Sequence, residues 1–297
     1  MQKEVFITTT AVYFPNSPIG NNQMEEYLGL ISGSHSRVKN IVLRQNGIKQ
    51  RFYAIDTNQT MTHTNADLAA QSIYNLLAKH PLPMQDLELL ACATASPDQI
   101  LPSHASMVHG LLKNKPMEIY SSSGICLSCI QAFKIAYWSI LSGEKRNAVC
   151  SCSELASAGL LSKNYDLEYE KCANLGIKPY MALEKDFLRF MLSDGASAVL
   201  LQDNPGNEKA LKVEWVEMTS FANELPTCMF MGAEKTENGE LKSWKSFDSQ
   251  DFVNRSLFTV KQDIKLLEQK AVPYWAKHIK YCFAKHNISP VSFPRKS

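Results

Sequence analysis

Glu118-Ile-Tyr-Ser-Ser-Ser-Gly-Ile-Cys-Leu-Ser-Cys129 is the stretch that decides how this chain is read. It passes from a short β-like run at residues 119–121, through a bend that Gly124 permits, into a helix reaching about Ser142-Gly143. Cys126 is expected at the first turn of that helix. Unpaired helix N–H groups and the positive end of the helix dipole favour a thiolate over a thiol there. The segment therefore predicts a nucleophile for acyl-thioester chemistry, with a backbone N–H of the same turn as oxyanion donor.

The flanking segments continue a strand–helix rhythm. Leu89-Leu-Ala-Cys-Ala-Thr94 is a nearly continuous apolar run that suits a buried parallel strand, and residues 147–153 read as the next strand after the cysteine helix. Residues 66–79 place Leu68, Ile73, Leu76 and Leu77 at helical spacing. Residues 103–113 read as a helix capped by Ser103. Residues 5–14 are β-rich. Asn21 or Asn22 is expected to cap a helix over residues 23–31, and Gly47 to open a turn and extended segment to Ala54. Helices alternating with buried strands imply an α/β fold with parallel strands. Residues 160–183 break the rhythm and predict a surface excursion or site lid. Residues 187–202 read as a hairpin about Ser193-Asp-Gly195. Residues 212–221 read as a strand and 243–251 as a loop. Residues 252–286 read as helix, in two pieces separated at Pro273.

At 297 residues with 45% hydrophobic content, the chain can bury a large core, in one domain or two fused halves. A net charge of +2 gives no bulk-charge argument for nucleic acid. The apolar runs are shorter than a membrane span, and the first residues do not read as a signal peptide. Eight cysteines, mostly in apolar contexts, are expected as reduced thiols of a cytoplasmic protein. Besides the nucleophile reading, Cys126 and Cys129 fit a thioredoxin-like redox pair, or a zinc site completed by Cys150 and Cys152. The preferred reading of Cys92, Cys129, Cys150 and Cys152 is core packing. No metal and no organic cofactor is expected.

Several segments together resemble the β-ketoacyl-acyl-carrier-protein synthase III branch of the thiolase-like condensing enzymes. Gly47-Ile-Lys-Gln-Arg-Phe-Tyr-Ala54 is similar to the family's Gly-Ile-Arg-Glu-Arg segment. Residues 89–103 look like its next strand and Pro-Ser turn. Residues 126–154 match its nucleophile helix and following strand without a gap, which puts the family's nucleophile on Cys126 and not on Cys129. Ser193-Asp-Gly-Ala196 stands for its Gly-Asp-Gly-Ala. Asn46-Gly-Ile-Lys-Gln-Arg-Phe-Tyr53 is also similar to condensing enzymes of alkylresorcinol or aryl-polyene synthesis. The resemblance implies a layered αβαβα fold, with residues 1–205 as the nucleophile half and 206–297 as part of a second half. It implies a homodimer, or pairing with a related condensing enzyme. It also implies ping-pong chemistry: acyl loading on Cys126 from a carrier-protein or coenzyme A thioester, then decarboxylative condensation.

The family's second-half histidine and asparagine find no match here. His278 and His286 read as solvated helix residues. Ser289-Pro-Val-Ser-Phe293 falls where the strand before the family's histidine begins. The resemblance thus implies that the last elements of the second half are missing, through truncation, a gene fragment or a frameshift. Poor solubility or dependence on a partner would follow. At the family's coenzyme A adenine clamp stand Ile41 and Gln45, with Arg44 one place away, which fits a carrier-bound acyl group better. Lys261 and Lys265, one helical turn apart, are either a meeting point for an acidic carrier protein or a solvated face. The alternative to an enzyme is a non-catalytic subunit or degenerate paralogue that binds a partner of the same fold.

Overall fold

Strands and helices alternate through the first two hundred residues of the computed structural model, which describes residues 3–174, 187–206 and 209–289. The chain runs β1 (Phe6–Tyr13), β2 (Ile19–Gly20), α1 (Met24–Leu28), α2 (Lys39–Asn46), β3 (Gln50–Arg51), α3 (Asn65–Leu77), β4 (Leu89–Thr94) and α4 (His104–Leu112). It continues with β5 (Glu118–Ser123), α5 (Ser128–Leu141), β6 (Asn147–Glu154), α6 (Asp166–Asn174), β7 (Gly195–Gln202) and β8 (Leu211–Lys212). Then come β9 (Met229–Phe230), β10 (Ala233–Lys235), β11 (Leu241–Ser243), α7 (Ser249–Asn254), β12 (Lys261–Gln262) and α8 (Ile264–Lys285).

One mixed sheet of six strands, in the order β5-β4-β6-β7-β1-β8, organises the core. β4 pairs in parallel with both β5 and β6, whereas β7 runs antiparallel to β6 and to β1. All six residues of β4 are buried, as its continuous apolar sequence requires of a strand covered on both faces. Successive residues serve opposite faces. Leu90, Cys92 and Val149 pack with α3 and α4. Leu89, Ala91, Ala93, Ala148 and Cys150 pack with α5. The result is an α/β/α sandwich with α5 on one side and α3 and α4 on the other.

Local chemistry explains the helix boundaries. The Thr64 side chain accepts from the Asp67 N–H while the Asp67 carboxylate accepts from the Thr64 N–H, a reciprocal cap for α3. Leu68, Ile73 and Leu76 of α3 are fully buried, each contributing roughly 1.5–3 kcal/mol of apolar burial. Ser103 caps α4 by accepting from the Ser106 N–H, as expected.

Several expectations are corrected. Residues 187–202 are not a hairpin. Residues 187–189 form a helical turn, and Leu188 and Phe190 are buried, Phe190 against Met24, Leu28 and Tyr53. Arg189 fixes that turn by donating to the carbonyls of Leu160 and Gly29 at 2.9 and 2.8 Å. β7 pairs instead with the distant β6 and β1. The helix expected over residues 23–31 is only Met24–Leu28, without an asparagine side-chain cap. Of residues 212–221, Lys212 alone lies in a strand, and residues 249–251, expected as loop, open α7. Pro273 does not divide α8, which runs unbroken across it. The Gln269 carbonyl that Pro273 leaves without a donor lies on an exposed stretch, where water can serve it. The expected excursion at 160–183 contains α6, and its remainder from 175 lies outside the described residues. So do residues 290–297, on which the expectation of a shortened second half rests. Residues 209–289 add β8 to the edge of the main sheet. They also hold the pairs β9–β12 and β10–β11 and the long α8. Among the described residues no second large sheet forms.

Candidate functional site

Parallel β4, β5 and β6 end at the same edge of the sheet, at Thr94, Ser123 and Glu154, and β7 starts beside them at Gly195. Ends of parallel strands are where loops can converge on a ligand in α/β folds. Cys126 is here, in the bend between β5 and α5, and its side chain is exposed. The helix starts two residues later than the sequence implies, with Leu127 as N-cap, so Cys126 precedes the first turn. Gly124 makes the bend possible: its φ of +149° is one that L side chains rarely adopt. Ser122 Oγ donates to Gln131 Oε1 at 2.6 Å, tying the end of β5 to α5 across the bend. The Leu127 cap position supplies no side-chain acceptor, so the N-terminus of α5 faces the bend without a side-chain cap.

Beside this bend lies a cavity of about 250 Å³, lined by Val12, Phe14, Cys129, Cys152, Glu154 and Gly195 among others. Phe14 stacks on Phe52 at 4.6 Å and forms part of its wall. Gly195 is required by the close approach of that ring: a Cβ there would stand 3.0 Å from Phe14. Glu154 accepts from the Ala95 N–H and Ser96 Oγ, both at 2.7 Å, and from Thr94 Oγ1 at 3.4 Å. Burial pushes its carboxyl above the usual range, and these hydrogen bonds oppose that shift. Asn65 joins the same cluster, donating to Thr94 Oγ1 and the Ser96 carbonyl at 2.7 Å. Asp98 accepts from the N–H groups of Asn65 and Ala66, the first of α3. Glu154 and Asp98 thus pin the 95–98 loop to β6 and to α3. On the other side, Asp194 accepts from the Ala54 N–H at 2.6 Å and the Ser157 N–H at 2.9 Å.

The cysteines separate into distinct settings. Cys92 and Cys150 are buried, as packing predicts. Cys129 and Cys152 are only half-buried and line the cavity, so packing alone does not describe them. The neighbouring Cys152 thiol, burial and nearby Glu154 push Cys129 well up. For Cys152 the Cys129 thiol lowers the value, but Cys150 and burial outweigh it and the net shift is upward. Among the described residues no His, Cys, Asp and Glu cluster forms that could hold a metal ion.

Sequence reasoning missed His104. It is buried at the start of α4, with Nε2 3.0 Å from Ser153 Oγ and a buried Nδ1 without a partner. Burial holds it below its ordinary value of 6.5, with Asp98 opposing. The signal available was its place one residue after a helix cap. His278 lies 3.5 Å (Nε2) from Cys282 Sγ on its own helix. His286 is not a freely solvated residue: it stacks on Trp215 at 4.4 Å and reaches Glu217 Oε1 at 2.9 Å. Arg44 is exposed on α2. Lys261 and Lys265 do not share a helix face, because Lys261 belongs to β12 and donates to the Arg255 carbonyl at 2.7 Å, while Lys265 follows the Asp263 cap of α8. Among the described residues no helix is long and apolar enough to cross a membrane.

No family model matches the chain. Curated proteins do. A β-ketoacyl-acyl-carrier-protein synthase III of Deinococcus radiodurans is 25% identical over 158 residues, which cover 53% of this chain and 43% of that protein. One from Limosilactobacillus reuteri is 30% identical over 196 residues, covering 66% and 50%. One from Streptococcus sanguinis is 24% identical over 261 residues, covering 87% and 69%. The chain therefore spans about half the length of the first curated relatives it matches. Among solved structures, the tetronic acid condensing enzyme AbyA1 superposes with a TM-score of 0.71 at 19% identity, over 96% of this chain and 75% of that one. Cerulenin-bound OleA of Xanthomonas campestris gives 0.51 at 21% identity, over 67% and 58%. These structures show the fold, which is that of thiolase-like condensing enzymes, and in sequence the chain is similar to proteins named β-ketoacyl-acyl-carrier-protein synthase III.

Proposed function

We propose that this protein is a condensing-type acyltransferase whose nucleophile is Cys126. The observation that carries the reading is an exposed thiol in a glycine bend, between a parallel strand and an N-terminus that has no side-chain cap. The Cys126 thiolate attacks an acyl thioester, the carrier thiol leaves with the proton, and the acyl group stays on sulfur. On this reading a backbone N–H of the bend holds the developing oxyanion. A malonyl-type thioester then loses carbon dioxide, and its carbanion takes the acyl group from Cys126. The names of the curated relatives support an acyl-carrier-protein thioester as substrate. Fatty acid, alkylresorcinol and aryl-polyene lipid synthesis are the product classes this reading serves. It takes residues 1–205 as the nucleophile half and 206–297 as part of the second. It takes the assembly as a homodimer or a pair with a related condensing enzyme, acting in the cytoplasm.

A second reading is favoured by one set of contacts. His278 is engaged by Cys282 and His286 by Trp215 and Glu217, so neither is free to stabilise an enolate. On this second reading the chain loads an acyl group, and a partner supplies the groups that stabilise the enolate. Supplying the purified chain with acyl and malonyl thioesters separates the readings. Release of carbon dioxide with a β-ketoacyl product supports the complete enzyme. Acyl loading without release supports the partner subunit. Neither loading nor release, in a folded chain, overturns both.

A further inference from the structure

On the reading of Cys126 as acyl acceptor, we propose that Ser197 is a specificity-determining residue: it sets the length of the alkyl chain admitted to a trough on β7. Alternation separates the two faces of that strand. Ala198 and Leu200 turn to the side of α3 and α4, whereas Val199 turns to the side of α5 with Cys150 and Cys152. Gly195 and Ser197 share the face of Val199. Across the sheet Ser197 stands between Cys152 of β6 and Val12 of β1, and Val199 stands between Cys150 and Thr10. α5 packs chiefly on β4, β6 and β5, so its cover ends beside β7. Two successive residues of this face, Gly195 and Ser197, carry no bulky side chain and leave a depression. The cavity of about 250 Å³ is that depression: Gly195 and Ser197 form its floor, Cys129 and Cys152 one wall, Val12 and Phe14 the other.

The walls suit an alkyl chain. Val12 and Phe14 are apolar, and a protonated thiol behaves as a small hydrophobe. Glu154 also borders the cavity, but its carboxylate oxygens are taken by the Ala95 N–H, Ser96 Oγ and Thr94 Oγ1. Cys129 follows Cys126 by three residues, so an acyl group on Cys126 starts beside the α5 wall of the trough. Inward along β7, Val199 packs into the core beside α5 and ends the trough. Gly195 to Val199 spans roughly 13 Å at about 3.3 Å per residue, and Ser197 lies at the midpoint. A larger side chain at that position would block the inner part and leave the mouth open. Each methylene that enters is expected to raise loading about fourfold, the equivalent of ~0.8 kcal/mol per buried CH₂.

The test offers the full, reduced chain acetyl, butyryl, octanoyl and palmitoyl carrier-protein thioesters and follows acylation of Cys126 by intact mass. The rate is expected to rise from acetyl to octanoyl and no further at palmitoyl. Ser197→Leu is expected to lower the octanoyl-to-acetyl ratio at least tenfold. Ser197→Val, whose β-branched side chain suits a strand, carries the comparison if the leucine variant does not fold. A non-reactive octyl thioether of N-acetylcysteamine, titrated by calorimetry, reads the trough without chemistry at Cys126. It is expected to bind the unaltered chain and to lose at least tenfold in affinity in Ser197→Leu. An octanoyl-to-acetyl ratio or a thioether affinity that does not change with the side chain at 197 overturns the proposal, and acylation of Cys126 in that case leaves its role as nucleophile standing. Thioether binding that depends on the side chain at 197, with no acylation of Cys126 by any thioester, overturns the nucleophile reading and supports the trough as an alkyl site.

Discussion

At the residue scale, burial sorts the titratable groups of the site into opposite responses to pH. His104 is held below its ordinary 6.5 by burial. The unfolded chain therefore takes up a proton there before the folded one. Its contribution to stability is present above about pH 6.5 and is lost as pH falls toward the depressed folded value. Glu154 and Asp194 are raised by burial, so they act with the reverse sign. Their contribution is present below the ordinary carboxylate range and is lost as pH rises through the raised folded values. As pH falls from 7 to 5.5 the histidine and the two carboxylates therefore act in opposite directions. In urea denaturation, His104→Gln is expected to lose less stability, or gain more, between pH 7 and pH 5.5 than the unaltered chain. An unchanged slope in His104→Gln would assign the effect to another group. Gly195 gives a second residue-scale prediction. Gly195→Ala brings a methyl to 3.0 Å from the Phe14 ring and is expected to cost about 1–3 kcal/mol. Phe14→Leu in the same chain should recover part of that in denaturant midpoints. The bend that holds Cys126 was legible because Gly124 fits a turn between a strand and a helix. The cavity thiols were not, because Cys129 and Cys152 come to line one cavity only through the packing of distant elements.

At the element scale, the sequence is legible where a segment carries its own instructions. Residues 89–94 read as a strand and are β4, because six buried small and apolar residues fit only a doubly covered strand. The Ser103 cap and the helix over 66–79 are legible for the same reason. Legibility ends where distant contacts decide. The apolar residues at 187–190 alternate no worse than a strand, but Phe190 buries against α1 and Tyr53, which fixes a helical turn instead. Lys261 and Lys265 are separated because Lys261 pairs with Phe230 in β12–β9. Two substitutions test the balance. Thr64→Ala removes the cap of α3 and is expected to cost about 1 kcal/mol. Ile73→Ala, fully buried in the same helix, is expected to cost about 2–5 kcal/mol. If both cost the same, packing does not dominate the stability of α3.

At the scale of the whole molecule, a sandwich around one sheet brings the ends of β4, β5 and β6 together and places the Cys126 bend beside the cavity. The α/β class with parallel strands was legible from the alternation of buried strands and amphipathic helices, whereas the antiparallel β7 and the order β5-β4-β6-β7-β1-β8 were not. Nothing local marks β7 as the partner of both β6 and β1. α8 joins this body through the stack of His286 on Trp215 and through Glu217, which Lys285 and His286 both reach at 2.9 Å. His286→Ala is expected to raise amide hydrogen exchange near the C-terminal end of α8 while leaving β4 and β6 protected. Equal exposure of both regions would mean that they open as one unit. The claim that joins residue, element and molecule is that Cys126, and not its cavity neighbour Cys129, receives the acyl group. Intact-mass analysis and peptide mapping after exposure to an acyl-carrier-protein thioester measure this directly. One acyl group on Cys126, lost in Cys126→Ala and kept in Cys129→Ala, is the predicted result. A label that persists in Cys126→Ala, or that maps to Cys129, would contradict it.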